Sequence, residues 1–158
     1  MTDIEGRFRA TGRIALVVSR YNEMITTRLL EGARAACAGA GAAPEDLDVL
    51  WVPGAFELGV VTMTAARSGR YRCIVALGAV IRGETPHFDF VATAATDGPT
   101  RVALDTGKPV GFGVLTVDDE QQGLDRAGLP DSKEDVGGRA AEAALATAAA
   151  LRALTSGN

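Results

Sequence analysis

Residues 76–90 read Ala76-Leu77-Gly78-Ala79-Val80-Ile81-Arg82-Gly83-Glu84-Thr85-Pro86-His87-Phe88-Asp89-Phe90. An apolar run gives way to a tight polar turn, and a helix signal follows. Thr85 is placed to cap that helix, and Pro86 fits its first position, where no N–H is needed. A buried strand feeding a helix through a short polar turn is the unit from which parallel sheets are built. The one histidine of the chain, His87, falls in the first helical turn. Free N–H groups and the positive end of the helix dipole favour an anion there. Imidazole is the side chain that exchanges protons near neutral pH. The pattern points to proton-transfer chemistry on a phosphorylated small molecule. A lone histidine in such a turn can equally be a solvated residue.

Outward from this stretch, the same unit repeats. Strand-like runs cover Arg13 to Ser19, Leu47 to Val52, Cys73 to Leu77 and Val110 to Leu115, each short and rich in Val, Ile or Leu. Helical patterns fill the intervals: Glu23 to Ala40, Phe56 to Ser68, Pro86 to Asp105, Asp118 to Ala127 and Glu134 to Leu154. The order β-α-β-α-β-α-β-α-α predicts a three-layer α/β/α domain with a four-stranded parallel sheet, flavodoxin-like in strand order. A single domain over residues 13–158 is expected, preceded by a flexible arm at 1–12. In an open parallel sheet the carboxyl ends of the strands share one edge, where ligands bind. Arg20-Tyr21-Asn22, Pro53 to Glu57, Arg82 to His87 and Thr116 to Asp119 all fall at that edge.

Composition narrows the partners. At 158 residues, 47% apolar and 23% charged, the chain has an ordinary globular profile. A net charge of −4 gives no basic footprint for nucleic acid. No segment approaches the roughly 20 apolar residues of a membrane span, and the first residues lack the apolar run of a signal peptide. A cytoplasmic protein is expected. Cys37 and Cys73 lack metal-ligand spacing and read as buried, reduced thiols, with a disulfide between them left open.

Each edge residue has a plain reading beside a functional one. Tyr21 and Asn22 could stack on a planar ring and bond a polyol, or simply pack and cap a helix. Gly54 and Ala55 allow close approach of a ligand to backbone. Phe56 suits packing as well as contact. Glu57 is stabilised in a first helical turn whether or not it binds a hydroxyl. The Gly83–His87 turn lacks the Gly-Lys-Ser/Thr of a Walker loop. Glu84 beside a phosphate should contribute its N–H only. Arg126, in Asp125-Arg126-Ala127-Gly128, is either a cation at a helix end or a phosphate clamp.

Four ordered motifs give these readings a direction. They are Val52-Pro53-Gly54-Ala55-Phe56-Glu57, the stretch Ala76 to Asp89, Phe112-Gly113-Val114-Leu115-Thr116, and Asp125-Arg126-Ala127-Gly128. Together, over about Arg13 to Leu154, the chain resembles the lumazine synthases of riboflavin biosynthesis. The resemblance implies condensation of 5-amino-6-(D-ribitylamino)uracil with 3,4-dihydroxy-2-butanone 4-phosphate to 6,7-dimethyl-8-ribityllumazine. It implies that Tyr21 stacks on the pyrimidine ring, and that Asn22 and the Ala55-Phe56-Glu57 turn hold the ribityl chain. Ala79, Val80 and Ile81 match the backbone that reads the pyrimidine edge. Glu84 and Thr85 match the phosphate turn, and His87 the proton-transfer residue. Phe112 and Arg126 match residues given to the site by a neighbouring subunit. No metal or organic cofactor is implied.

The resemblance further implies a homo-oligomer of pentameric rings and admits riboflavin synthase as a partner. The connection Gly128 to Gly137 looks about two residues longer than in members that form sixty-subunit shells, which favours a pentamer or decamer. Three departures stand out. Val136 occupies the position where many members carry a lysine near the phosphate, with Lys133 and Arg139 as neighbouring cations. Gly59 replaces a common proline, and Tyr21 a more usual Phe or Trp. They leave open a weakly active or non-catalytic paralogue that binds a lumazine or flavin, or a structural shell protein.

Overall fold

A computed structural model describes residue 2 and residues 12–156; the expected arm over 1–12 lies almost wholly outside the described residues. Four strands, β1 (Ile14–Ser19), β2 (Leu47–Val52), β3 (Cys73–Ile81) and β4 (Val110–Val117), form one parallel sheet in the order β2-β1-β3-β4. The helices are α1 (Glu23–Gly39), α2 (Leu58–Arg67), α3 (His87–Thr106), α4 (Glu120–Leu124) and α5 (Val136–Ser156). Short 3₁₀ turns lie at Pro44–Asp46 and Ala55–Glu57. The expected three-layer α/β/α architecture is the observed one.

The layering follows from the period-2 geometry of a strand. Along β1, Ile14, Leu16 and Val18 face a core shared with α1 and α5. Ala15 and Val17 face the opposite core, with Leu58 of α2 and Val102 of α3. Every residue of β1 is buried, which explains its unbroken apolar sequence. Cys37 and Cys73 are free thiols, buried in the first core. Burial pushes their pKa values up to about 11 and about 12.

Several boundaries differ from expectation. β3 runs to Ile81 rather than Leu77. Gly78 carries the strand past a crowded point, since a Cβ there would stand 3.1 Å from both Leu58 Cδ1 and Ser19 Oγ. α3 is helical from His87; Pro86 already has helical dihedrals, and the Thr85 hydroxyl accepts the His87 N–H at 3.4 Å. α4 is five residues long and capped by Asp119, whose side chain accepts the Gln122 N–H. After it the chain tightens into i to i−3 bonds, Arg126 N–H to Gly123 O and Ala127 N–H to Leu124 O, before Gly128 at φ 80°. Arg126 therefore stands beyond the helix end. α5 begins at Val136, where the expected helix began at Glu134.

α5 crosses α1 and β4 at backbone distance. A Cβ on Gly137 would lie 2.1 Å from the Leu29 carbonyl oxygen, and one on Gly111 2.1 Å from that of Ala140. Neither obstacle is a side chain that can rotate away. Gly137→Ala should therefore destabilise the fold by about 1–3 kcal/mol through overpacking. Gly39→Ala, at the end of α1 with nothing within 4 Å of the added methyl, should leave stability unchanged or raise it by up to about 1 kcal/mol. Thermal unfolding of the two variants beside wild type checks the contrast; equal midpoints would contradict the crossing.

Candidate active site

The site begins where β3 outruns β1. Pairing of β1 with β3 ends at Val18 and Leu77, whereas β3 stays paired with β4 to Ile81 and Val117. Ala79, Val80 and Ile81 thus continue past the last rung of β1. Asn22 satisfies part of the exposed edge: its Nδ2 donates to the Ala79 carbonyl oxygen at 2.9 Å. Asn22 is the one non-glycine residue with positive φ among the described residues, at φ 61°. Asparagine tolerates that left-handed geometry better than most side chains. Backbone polar groups alternate sides along a strand, so those of Ile81 point the same way as those of Ala79.

This bare edge floors a cleft of about 380 Å³. Its walls bring together Tyr21 and Asn22 after β1, Gly54, Ala55 and Phe56 after β2, Ala79 to Ile81, and Thr85 and His87 at the start of α3. Ten of the residues singled out from sequence thus meet at one place. Tyr21 and Phe56 are 74% and 65% exposed, so two aromatic faces stand free at the mouth, able to stack on a flat ring. Gly83, Phe88 and Val91 also line the cleft. Gly83 belongs to the anion-binding turn singled out from sequence, whereas Phe88 and Val91 are not among the sequence candidates. Helical spacing from His87 would have found Val91, four residues on and one turn along the same face.

Four expected residues lie elsewhere. Glu57 turns back on its own helix start, its Oε2 accepting the Gly54 N–H at 2.9 Å. Glu84 is exposed and absent from the lining. Phe112, on edge strand β4, is 46% exposed and lines two shallow hollows on either side of that strand. Arg126 donates from Nη1 to the Gln122 carbonyl oxygen at 2.9 Å, outside the cleft. Val136 shares one of those hollows with Phe112 and Arg139, and its N–H donates to the Arg126 carbonyl oxygen at 3.0 Å. Arg139 pairs with Glu134. Lys133 stands 3.1 Å from Asp125, whose carboxyl is held below the usual range by bonds from Gln121 and Lys133.

The two groups have different chemistry. The cleft offers apolar walls, aromatic faces, unpaired strand edge and one imidazole. The outer group offers an exposed aromatic and a guanidinium. Among the described residues, no cluster of three or more His, Cys, Asp or Glu could hold a metal ion, and no helix is long and apolar enough to cross a membrane.

The family model for 6,7-dimethyl-8-ribityllumazine synthase matches residues 11–152. A protein of that name from Leifsonia xyli subsp. xyli is 56% identical over 149 residues, covering 94% of this chain and 92% of the relative. One from Mycolicibacterium vanbaalenii is 54% identical, covering 90% and 88%. One from Nitratidesulfovibrio vulgaris is 46% identical, covering 96% and 94%. A family match across nearly the whole domain, with relatives of matching length, leaves one assignment: the chain belongs to the 6,7-dimethyl-8-ribityllumazine synthase family.

Proposed function

We propose that the cleft joins 5-amino-6-(D-ribitylamino)uracil to 3,4-dihydroxy-2-butanone 4-phosphate, forming 6,7-dimethyl-8-ribityllumazine and releasing phosphate and two waters. This is the penultimate step of riboflavin biosynthesis. The observation that carries the reading is one wall holding a free strand edge at Ala79–Ile81 and, a few residues on, Thr85 and His87. The heterocycle lies along that edge, between Tyr21 and the β3 backbone. Asn22 and the Gly54–Glu57 turn receive the ribityl chain. The phosphate meets the N–H groups at the start of α3 and the Thr85 hydroxyl.

The reaction needs proton shuttling more than charge stabilisation. The 5-amino group adds to the ketone and loses water as an imine. A C–H proton next to the imine leaves, and phosphate departs from the neighbouring carbon. The ribitylamino nitrogen then closes the ring with loss of the second water. His87 can take and return protons in each step. The amine is already nucleophilic, so holding both substrates together supplies much of the acceleration.

Phe112 and Arg126 support a site shared between subunits. Both lie outside the cleft of their own chain, and the surface around Phe112 also exposes Leu104 at 80%. An apolar edge strand of this kind calls for a covering neighbour. We read the assembly as a pentamer or a pair of pentamers, a closed cyclic arrangement built from one repeated contact. The lumazine product makes riboflavin synthase the natural downstream partner. The buried thiols suit a reducing, cytoplasmic setting.

Purified protein given both substrates should produce the absorbance and fluorescence of the lumazine; none at any substrate concentration would overturn the reading. His87→Ala should lower kcat by about 10- to 100-fold and leave the KM for the pyrimidinedione nearly unchanged. Turnover unaltered by the substitution across neutral pH would remove His87 from the chemistry. Light scattering should give a mass of five or ten chains; a monomer would contradict the shared site, and a megadalton particle would contradict the pentamer or decamer. Val136→Lys places an ammonium beside Phe112 and Arg126. An ion pair to a partly exposed phosphate is worth on the order of 1 kcal/mol, so the KM for the butanone phosphate should fall several-fold with that for the pyrimidinedione unchanged. An unchanged phosphate KM would mean that Arg139, in the same hollow, already serves.

A further inference from the structure

The turn between β3 and α3 carries Thr85 and His87, yet it is barely packed. Every residue from Arg82 to His87 is exposed, and a Cβ on Gly83 would meet nothing within 4 Å. Its internal bonds are sparse: Asp89 N–H to Pro86 O at 2.9 Å, and His87 N–H to the Thr85 hydroxyl at 3.4 Å. A turn held so loosely samples many conformations unless its ends are fixed.

Arg82 joins those ends. Its backbone N–H donates to Val117 O at 2.9 Å, which anchors it to β4. Its guanidinium lies over the Phe88 ring, 4.4 Å from the centroid. Nε donates to Asp118 Oδ1 at 2.9 Å, and Nη1 stands 3.9 Å from Asp89 Oδ1. One planar group therefore spans the turn, from the end of β3 to the first turn of α3, and also reaches the turn after β4. The far end is anchored in its own right. Asp118 N–H donates to Gln122 Oε1, and Arg126 Nη1 to Gln122 O, both at 2.9 Å. The Arg82 hydrogen bond holds the Asp118 carboxyl below the usual range. Phe88 lines the cleft and Arg82 does not.

We propose that Arg82 is a positioning residue: stacked on Phe88 and bonded to Asp118, it holds the 83–87 turn in the conformation that presents its N–H groups and His87 to the phosphorylated substrate. The inference rests on the condensation reading of the cleft. An exposed ion pair contributes little to global stability. The combination of a rigid planar fork and a ring stack fixes local geometry in a way a lysine cannot reproduce.

Arg82→Ala, Arg82→Lys, Asp118→Ala and the Arg82→Ala/Asp118→Ala double variant separate the possibilities, read by both KM values, kcat and amide hydrogen exchange of the full chain. Arg82→Ala should raise the KM for the butanone phosphate and lower kcat, each about tenfold, with the pyrimidinedione KM unchanged, as expected for misplacement of one half of a site. Arg82→Lys should behave like Arg82→Ala. The double variant should be no worse than Arg82→Ala alone, because coupled residues are not additive. Exchange should quicken over residues 82–90 and nowhere else. Wild-type kinetics in Arg82→Lys would reduce the residue to a long-range charge and overturn the proposal. So would unaltered exchange over 82–90, or a rise in both KM values with a lowered Tm. Should wild type make no lumazine, the condensation reading fails, and exchange over 82–90 alone decides the positioning role.

Discussion

The structure depends on the mismatch in length between β3 and the strands beside it. The pairing of β3 with β1 ends at Leu77, but β4 escorts β3 to Ile81. One edge of β3 is thereby stripped of its hydrogen-bonding partner over its last turns of chain. An unpaired strand edge in an apolar setting is costly unless something fills it. Asn22 fills part of it by adopting a left-handed backbone and donating to Ala79 O. A planar heterocycle with alternating donors and acceptors can fill the rest. The same overshoot delivers the chain to the 83–87 turn and the start of α3. In the proposed reading, heterocycle and phosphate are served by consecutive pieces of one strand–turn–helix unit.

The fold was legible because the chemistry of a doubly covered parallel strand is simple. Such strands must be apolar on both faces, and β1 and β3 are. Errors came where a residue's role is set across space. Gly78 looks like a strand terminator, yet Leu58 and Ser19 crowd its position and the strand passes through. The pattern from Asp118 to Ala127 looks like one helix. The chain instead tightens after Leu124 toward the positive-φ Gly128, and Arg126 ends outside the helix.

The site divides in the same way. Residues that follow a strand directly, such as Tyr21, Ala55 and His87, were readable from order alone, because topology puts all strand ends on one edge. Glu57 was not, since only the fold shows its carboxylate bonded to the Gly54 N–H. Phe88 was passed over because an aromatic in a first helical turn carries no mark of its function; its meaning comes from Arg82, six residues earlier, lying on its ring. Phe112 came only through the family resemblance, whereas Arg126 also reads from its own stretch as a phosphate clamp or a helix-end cation; in a single chain both stand apart from the cleft.

In the proposed site the free β3 edge holds the heterocycle and the adjoining turn holds the phosphate. A crystal structure with 5-amino-6-(D-ribitylamino)uracil and inorganic phosphate bound together tests it most directly. The expected result is the ring against Ala79–Ile81 beneath Tyr21, and the phosphate on the N–H groups of the 83–87 turn with a neighbour's Arg126 facing it. A phosphate seated instead in the hollow of Val136 and Arg139, away from that turn, would contradict it.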